Sequence, residues 1–350
     1  MELLDNNLGN IDDFENLDIE KRFIFGTGMY SQIASELFDF SGFVEENPVR
    51  SELLGKPILN LNSIPRGITV LVGSSLNPFS ASAKLKSRGF RPLHLLFYLN
   101  ERLSKKVYFQ EFETHFEERK STYDYLESVL EDEESRDLLK AIIDFRITGD
   151  INSLWGMKSP GEQYFEDFIK LGLSETFYDV GAFDGANSLR FDEITNGKGS
   201  IVMFEANPKQ HSDLETSCLG NQNRTLVQYA LSDRNTTLFF DGDKGSASRV
   251  ENKATKSSIK VEARTLDSLN LLQVPTYIKL DVEGAEMQIL YGGVDTIRRF
   301  RPNLAISVYH RPGDIAEAFT FCDRNLSSAR YCLRQYTEAT DEIVLYCLPN

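Results

Sequence analysis

Cysteine is scarce and unpatterned in this chain: the four residues, Cys218, Cys322, Cys332 and Cys347, include no C-x-x-C pair. That excludes a zinc knuckle or a disulfide framework as the organising principle and fits a reducing, cytoplasmic setting. Long apolar runs are missing as well. The longest, Leu93 to Leu99, already contains His94 and falls far short of the roughly 20 residues a membrane helix needs, so no membrane span or export segment is expected. Positive charge is in deficit, with 38 basic against 53 acidic residues and a net charge of -15. Such a field repels phosphate backbones and anionic surfaces, so bulk nucleic acid is not an expected partner. There is no internal repeat and no low-complexity segment. What is present, 41% hydrophobic and 26% charged residues over 350 positions, is enough to fill two globular cores.

The pattern along the chain suggests four segments. Residues 1–20 form an acidic leader without a core pattern, read as loosely packed. Residues 21–108 read as a small Rossmann-like α/β domain. In it, a strand from Arg22 to Phe25 runs into Gly26-Thr27-Gly28, and a helical pattern follows through Ile33, Leu37 and Phe38. Further strands are expected at Gly42 to Val44, Ile68 to Val72 and Phe90 to Tyr98, with a basic helix carrying Lys84, Lys86 and Arg88. Residues 109–158 are charged and helical, a connector whose acidic run Glu131 to Glu134 reads as a solvated turn rather than a metal site. Residues 159–350 open with Ser159-Pro160, a helix-start signal covering Ser159 to Leu171, and then return to α/β alternation.

In that last segment strands are expected at Phe177 to Val180, Ile201 to Glu205, Thr225 to Leu231, Tyr277 to Asp281, Leu304 to Tyr309, Tyr331 to Tyr336 and Ile343 to Cys347. Helices should follow the first two and fill Ala285 to Phe300 and Asp314 to Asn325. The final two strands lack a helix-sized gap and should pair as an antiparallel hairpin. The expected fold class is therefore α/β, a doubly wound seven-stranded sheet ending in that hairpin.

The chemistry concentrates at strand ends. Asp179-Val180-Gly181-Ala182-Phe183-Asp184-Gly185 lies between a strand and a helix, where a glycine turn lets backbone approach a ligand. About 20 residues on, Phe204-Glu205 puts a carboxylate at the next strand tip, the place where acidic residues accept ribose hydroxyls. Phe183 replaces the second glycine of a dinucleotide fingerprint. This disfavours a pyrophosphate across the turn and tolerates a phosphate-free ligand such as S-adenosylmethionine. Two further strands end in Ala230-Leu231-Ser232-Asp233 and in Asp281-Val282-Glu283-Gly284-Ala285-Glu286.

Taken together, these blocks resemble the FkbM family of S-adenosylmethionine-dependent methyltransferases. The family pattern is an Asp-Val-Gly-Ala turn, a Phe-Glu strand end and an Asp-x-Glu-Gly-x-Glu segment opening a helix. Thr265 to Ser268, Ile306 to Pro312, and Glu342 with Leu345-Tyr346 extend the likeness over about Tyr164 to Leu348. The resemblance implies that Asp179, Gly181 and Gly185, with Phe183 in the turn, contact or shape the methionine end of the cofactor. It implies further that Glu205 holds the ribose, that Ser232 and Asp233 lie near the adenine, and that Asp281 sits at the cleft. It also points, by analogy, to a sugar hydroxyl of a glycan or surface polysaccharide as acceptor.

Methyl transfer to an alcohol needs an in-line approach and removal of a proton. His310 is one of four histidines and follows an apolar strand; it is the expected general base, supported by Asp281 or Glu283. These three could also gather a hard cation, although no metal is expected. Glu286 reads as a helix cap, Lys279 as the buried partner of a carboxylate, and residues 239–260 as a flexible cover. Two other readings compete. One is a nicotinamide-dependent oxidoreductase or epimerase using Gly26-Thr27-Gly28, which lacks a full fingerprint and a Tyr-x-x-x-Lys pair. The other is a non-catalytic binding protein, which should have lost Asp179, Glu205 or Asp281. The sequence is compatible with a homo-oligomer.

Overall fold

A computed structural model describes residues 9–103, 111–219, 221–240, 250–251, 259–269 and 273–349. The chain divides into two compact units, Met1–Glu117 with Asp137–Ser159 and Gln335–Asp341, and Glu118–Arg136 with Pro160–Arg334 and Glu342–Asn350. The boundary differs from the expected one: the helical connector is shared out, with Lys120–Val129 in the second unit and Glu133–Thr148 mostly in the first.

The first unit is built on β1 (Phe23–Phe25), β2 (Gly42–Glu45), β3 (Glu52–Leu53), β4 (Lys56–Asn60), β5 (Thr69–Val72) and β6 (Arg91–His94), in the order β3-β4-β2-β1-β5-β6. Pairing is parallel except at the β3–β4 edge. Three expectations change here. Residues 11–15 of the supposed loose leader form a helix capped by the Asn10 side chain, and its Phe14 is fully buried. Strand β4 went unforeseen, because Pro57 and the polar ends of Lys56–Asn60 hide its period. The apolar run Phe90 to Tyr98 divides into β6 and the helix Leu95–Leu103, a short run whose period alone cannot separate strand from helix.

The second unit continues with β7 (Thr176–Val180), β8 (Ser200–Phe204), β9 (Arg224–Val227), β10 (Ala230–Leu231), β11 (Thr236–Phe240), β12 (Val250–Glu251), β13 (Ile259–Arg264), β14 (Tyr277–Leu280), β15 (Asn303–Ser307), β16 (Arg330–Gln335) and β17 (Ile343–Leu348). Seven of these form the main sheet, in the order β16-β17-β15-β14-β7-β8-β9. Strands β9, β8, β7, β14 and β15 are parallel to their neighbours, and β17 runs antiparallel to β15 with β16 beside it. Every residue of β7, β14 and β17 is buried, as a sheet covered on both faces requires. Phe177 on β7 stacks on Phe191 at 5.0 Å and packs on Tyr277 at 5.2 Å; burying each such ring contributes about 1.5–3 kcal/mol. The order reverses about β7, and that switch point opens a crevice at the carboxyl ends of β7, β8 and β14.

Departures from the expected elements have local causes. The strand expected over Thr225 to Leu231 splits into β9 of the main sheet and β10 of a four-stranded sheet, β10-β13-β11-β12. The helix expected over Ala285 to Phe300 breaks into Glu286–Gly292 and Val294–Phe300. Gly292 is pressed against the Ser232 carbonyl, which a Cβ would meet at 2.0 Å. Residues 160–171 are turns rather than a helix, since Tyr164 is left-handed at φ +66 and its N–H donates to the Tyr346 hydroxyl at 2.9 Å. The acidic run lies at the surface, with Glu131, Glu133 and Glu134 exposed, and it also carries ion pairs: Arg330 with Glu131 at 2.8 Å, and Arg334 with Asp132 at 2.7 Å and Glu134 at 3.4 Å. The expected cover over residues 239–260 lies mostly outside the described residues. Among the described residues no helix is long and apolar enough to cross a membrane.

Candidate active site

The crevice holds a cavity of about 340 Å³, walled by the turn after β7, the tips of β8, β10 and β14, and Gln163, Tyr164, Tyr309 and Glu342. Its floor is fixed by a buried ion pair. Lys279 Nζ stands 3.1 Å from Asp179 Oδ1 and donates to the Gly181 carbonyl at 2.6 Å, and Ser188 Oγ donates to Asp179 Oδ2 at 2.7 Å. Burial alone would lower the Lys279 pKa, yet Asp179, Asp281 and Glu205 raise it, so the amine stays charged. Asp179 thus faces Lys279 and Ser188 and shapes the turn. Gly181, at φ +79, lies so near β14 that a Cβ would come within 1.9 Å of the Asp281 carbonyl oxygen.

Glu205 ends β8 with both carboxylate oxygens anchored. Oε2 accepts from Phe183 N–H at 2.8 Å and Oε1 from Asn207 N–H at 2.7 Å. Its pKa is raised by burial, against the pull of these two N–H groups. Each oxygen keeps a second lone-pair direction, and the residue lines the cavity. Phe183 itself is left-handed at φ +49, with its ring 40% exposed at the rim. Beyond β10 the wall is Tyr229, Ala230 and Leu231. Ser232 and Asp233 lie past it, where the Ser232 N–H bonds the Arg264 carbonyl and Gly292 packs against both residues.

On the other side, β14 delivers Asp281 into a tight loop. Glu283 is left-handed at φ +57, and the Val282 and Gly284 N–H groups both donate to Glu286 Oε1, at 3.0 and 3.2 Å. Glu286 therefore holds the loop in an otherwise costly conformation rather than capping its helix, whose N-cap Ala285 has no side-chain cap bond. Asp281 accepts from the Tyr164 hydroxyl at 2.9 Å, and the Tyr309 hydroxyl lies 3.4 Å from both Asp281 and Glu342. The structure brings His310 to this acidic corner: Nδ1 is 3.1 Å from Glu286 Oε1, and Nε2 is 3.5 Å from Glu283 and 3.8 Å from Asp281. Burial pushes its pKa down, but the three carboxylates outweigh it and lift the value to about 9. Near neutral pH the ring is cationic and poorly suited to accept a proton, so the role expected for it moves to its neighbours. The cavity wall includes Asp281 and Glu283 but not His310.

Residues not foreseen as part of the site are Gln163, Tyr164, Tyr309 and Glu342. Gln163 donates to Glu342 Oε2 at 2.5 Å, tying the segment before β7 to the one before β17. In the first unit, Gly26-Thr27-Gly28 does form a strand-to-helix turn, with Gly26 at φ +96 and the Thr27 hydroxyl donating to Glu45 at 2.6 Å.

A doubly wound seven-stranded sheet with an antiparallel strand near its end, and acidic residues at the tips of the second and fourth strands, defines a methyltransferase-like α/β domain. Residues 179–333 match the model of the methyltransferase FkbM domain. The chain is similar to the 2-O-methyltransferase NoeI of Sinorhizobium fredii, 28% identical over 144 residues, covering 35% of this chain and 59% of that protein. It is also similar to the hexuronic acid methyltransferase AglP of Haloferax volcanii, 25% identical over 158 residues, covering 42% and 63% respectively. The chain thus spans about three-fifths of the length of these curated relatives. The crystal structure of a methyltransferase FkbM from Methylobacillus flagellatus superposes with a TM-score of 0.72 at 18% identity, over 97% of this chain and 94% of that one. Both units therefore have a counterpart in fold.

Proposed function

We propose that the C-terminal unit binds S-adenosylmethionine in the crevice and methylates a sugar hydroxyl. The observation that carries this reading is the Glu205 carboxylate, locked by two backbone N–H groups at the tip of β8 and facing the same cavity as Asp281 and Glu283. A carboxylate so held suits the two ribose hydroxyls of a nucleoside. The apolar wall of Ala230 and Leu231 suits the adenine, and Gly181 with Ala182 and Phe183 the methionine end. The donor chemistry fits: the crevice offers a vicinal-diol acceptor, and Lys279 in its lining is committed to Asp179 and the Gly181 carbonyl rather than open to a pyrophosphate.

When bound, S-adenosylmethionine supplies an electrophilic methyl on a sulfonium. The wall carboxylates would take up the hydroxyl proton as the acceptor oxygen receives that methyl and S-adenosylhomocysteine is released. Asp281 and Glu283 are the catalytic candidates for orienting and deprotonating the acceptor, and cationic His310 supports their charge. Tyr164 and Tyr309 fix Asp281 by hydrogen bonds. A sugar acceptor in glycan or surface polysaccharide synthesis is supported by the likeness to a 2-O-methyltransferase and a hexuronic acid methyltransferase and by the polar, tyrosine-lined rim, and the unpatterned cysteines fit a cytoplasmic setting. Calorimetric titration with S-adenosylmethionine, repeated on Glu205→Ala, tests the reading.

A further inference from the structure

We propose that His310, Asp281 and Glu283 bind a hard divalent cation, magnesium or manganese, at the wall of the C-terminal cavity, with Glu286 holding the imidazole through its other nitrogen. The His310 side chain is only 4% exposed; Nδ1 faces Glu286 at 3.1 Å, and Nε2 makes no hydrogen bond. Such a group is costly to bury without a partner. Nε2 is aimed between Glu283 Oε2 at 3.5 Å and Asp281 Oδ1 at 3.8 Å. Both separations exceed a good hydrogen bond. They match the roughly 3–4.5 Å that separates neighbouring ligand atoms around one ion with bonds near 2.0–2.3 Å.

The surrounding geometry supports the same assignment. Asp281, Glu286 and His310 each place a ligand atom within 4.8 Å of the others, and Glu283 joins this corner through its 3.5 Å approach to Nε2. Glu286 Oε1 is already engaged by the Val282 and Gly284 N–H groups and lies 3.1 Å from Nδ1. This makes Glu286 the carboxylate that orients a ligating histidine, and Nε2 becomes the donor atom once the ion displaces the proton that the ring carries there in its absence. Three carboxylates around one imidazole leave negative charge in excess, which a dication neutralises. Two carboxylates and one imidazole favour manganese or magnesium over softer ions. Because Asp281 and Glu283 line the cavity, open coordination positions would face it, where an acceptor oxygen could be polarised. That role rests on the methyltransferase reading; binding of the ion does not.

The test is titration of the metal-depleted full chain with Mn²⁺, following the electron paramagnetic resonance signal of the free ion, with Mg²⁺ as competitor. One saturable site per chain is expected, displaced by Mg²⁺ and weakened at least tenfold in His310→Gln and in Glu283→Gln. Glu283 is partly exposed, so its variant should keep the fold if the histidine variant does not. Absence of saturable Mn²⁺ binding, or unchanged affinity in Glu283→Gln and in folded His310→Gln, would overturn the proposal. Binding of S-adenosylmethionine without Mn²⁺ would sink the cation site and leave the methyltransferase reading standing; Mn²⁺ binding alone would do the reverse.

Discussion

Replacing Lys279 by Met should cripple the second unit more than any surface charge removal. The ammonium is 2% exposed and Asp179 fully buried, 3.1 Å apart, and the same ammonium holds the Gly181 carbonyl at 2.6 Å. Removing one member of such a pair leaves an uncompensated buried charge, a loss of about 3–5 kcal/mol. The carbonyl of the turn loses its donor as well, adding about 1 kcal/mol. Against a typical stability of about 5–15 kcal/mol the variant should be only marginally folded. Methionine nearly fills the lysine volume, so the effect is electrostatic. Accordingly, Lys279→Met combined with Asp179→Asn should recover much of the loss, because neither site then carries charge. Urea unfolding followed by circular dichroism, with hydrogen exchange over the peptides of β7 and β14 to localise the change, gives both numbers. A single-variant loss below about 1 kcal/mol, the range of an exposed pair, would refute the reasoning. So would a double variant no more stable than Lys279→Met.

Two other predictions are independent of it. His94, buried in the first unit and 3.5 Å from Ser82, has its pKa lowered to about 4 from 6.5, chiefly by burial. The unfolded chain therefore binds the extra proton first, so the neutral ring's contribution is complete above about pH 6.5 and is lost as pH falls toward 4. At up to about 3 kcal/mol, the stability–pH slope in that window should flatten in His94→Phe; an unchanged slope would contradict it. Gly181→Ala should destabilise the second unit by about 2 kcal/mol or more, from positive φ plus the collision with the Asp281 carbonyl. Thermal melts of the two proteins check this, and equal midpoints would show that the turn is looser than described.

Much of the second unit was legible because its parallel strands are continuous apolar runs bounded by Gly, Asp or Asn, and because a carboxylate at a strand tip is a local feature. Glu205 and Asp281 could be placed on the cleft that way, and Lys279 could be recognised as a paired charge, since nothing else is compatible with a lysine inside Tyr277–Leu280. The break at Gly292-Gly293 has its signal in the glycine pair itself. Tyr164 was not readable. It reaches Asp281 from a segment whose Ser-Pro-Gly start suggests a helix, and the distant Tyr346 and Tyr277 hydroxyls bond its backbone in the left-handed conformation. The placement of Ser232 and Asp233 beyond the wall depends on Gly292, 60 positions away. His310 was found by its position, but its charge was not, because that depends on three carboxylates gathered from the loop after β14.

A crevice with a locked carboxylate at the tip of β8 should take the nucleoside of the methyl donor. Calorimetric titration of the purified chain with S-adenosylmethionine should show one saturable site, weakened by about 10-fold or more in Glu205→Ala, as expected for losing charge-assisted bonds of about 1.5–3 kcal/mol. No saturable binding, or equal affinity in the wild type and the variant, would contradict it.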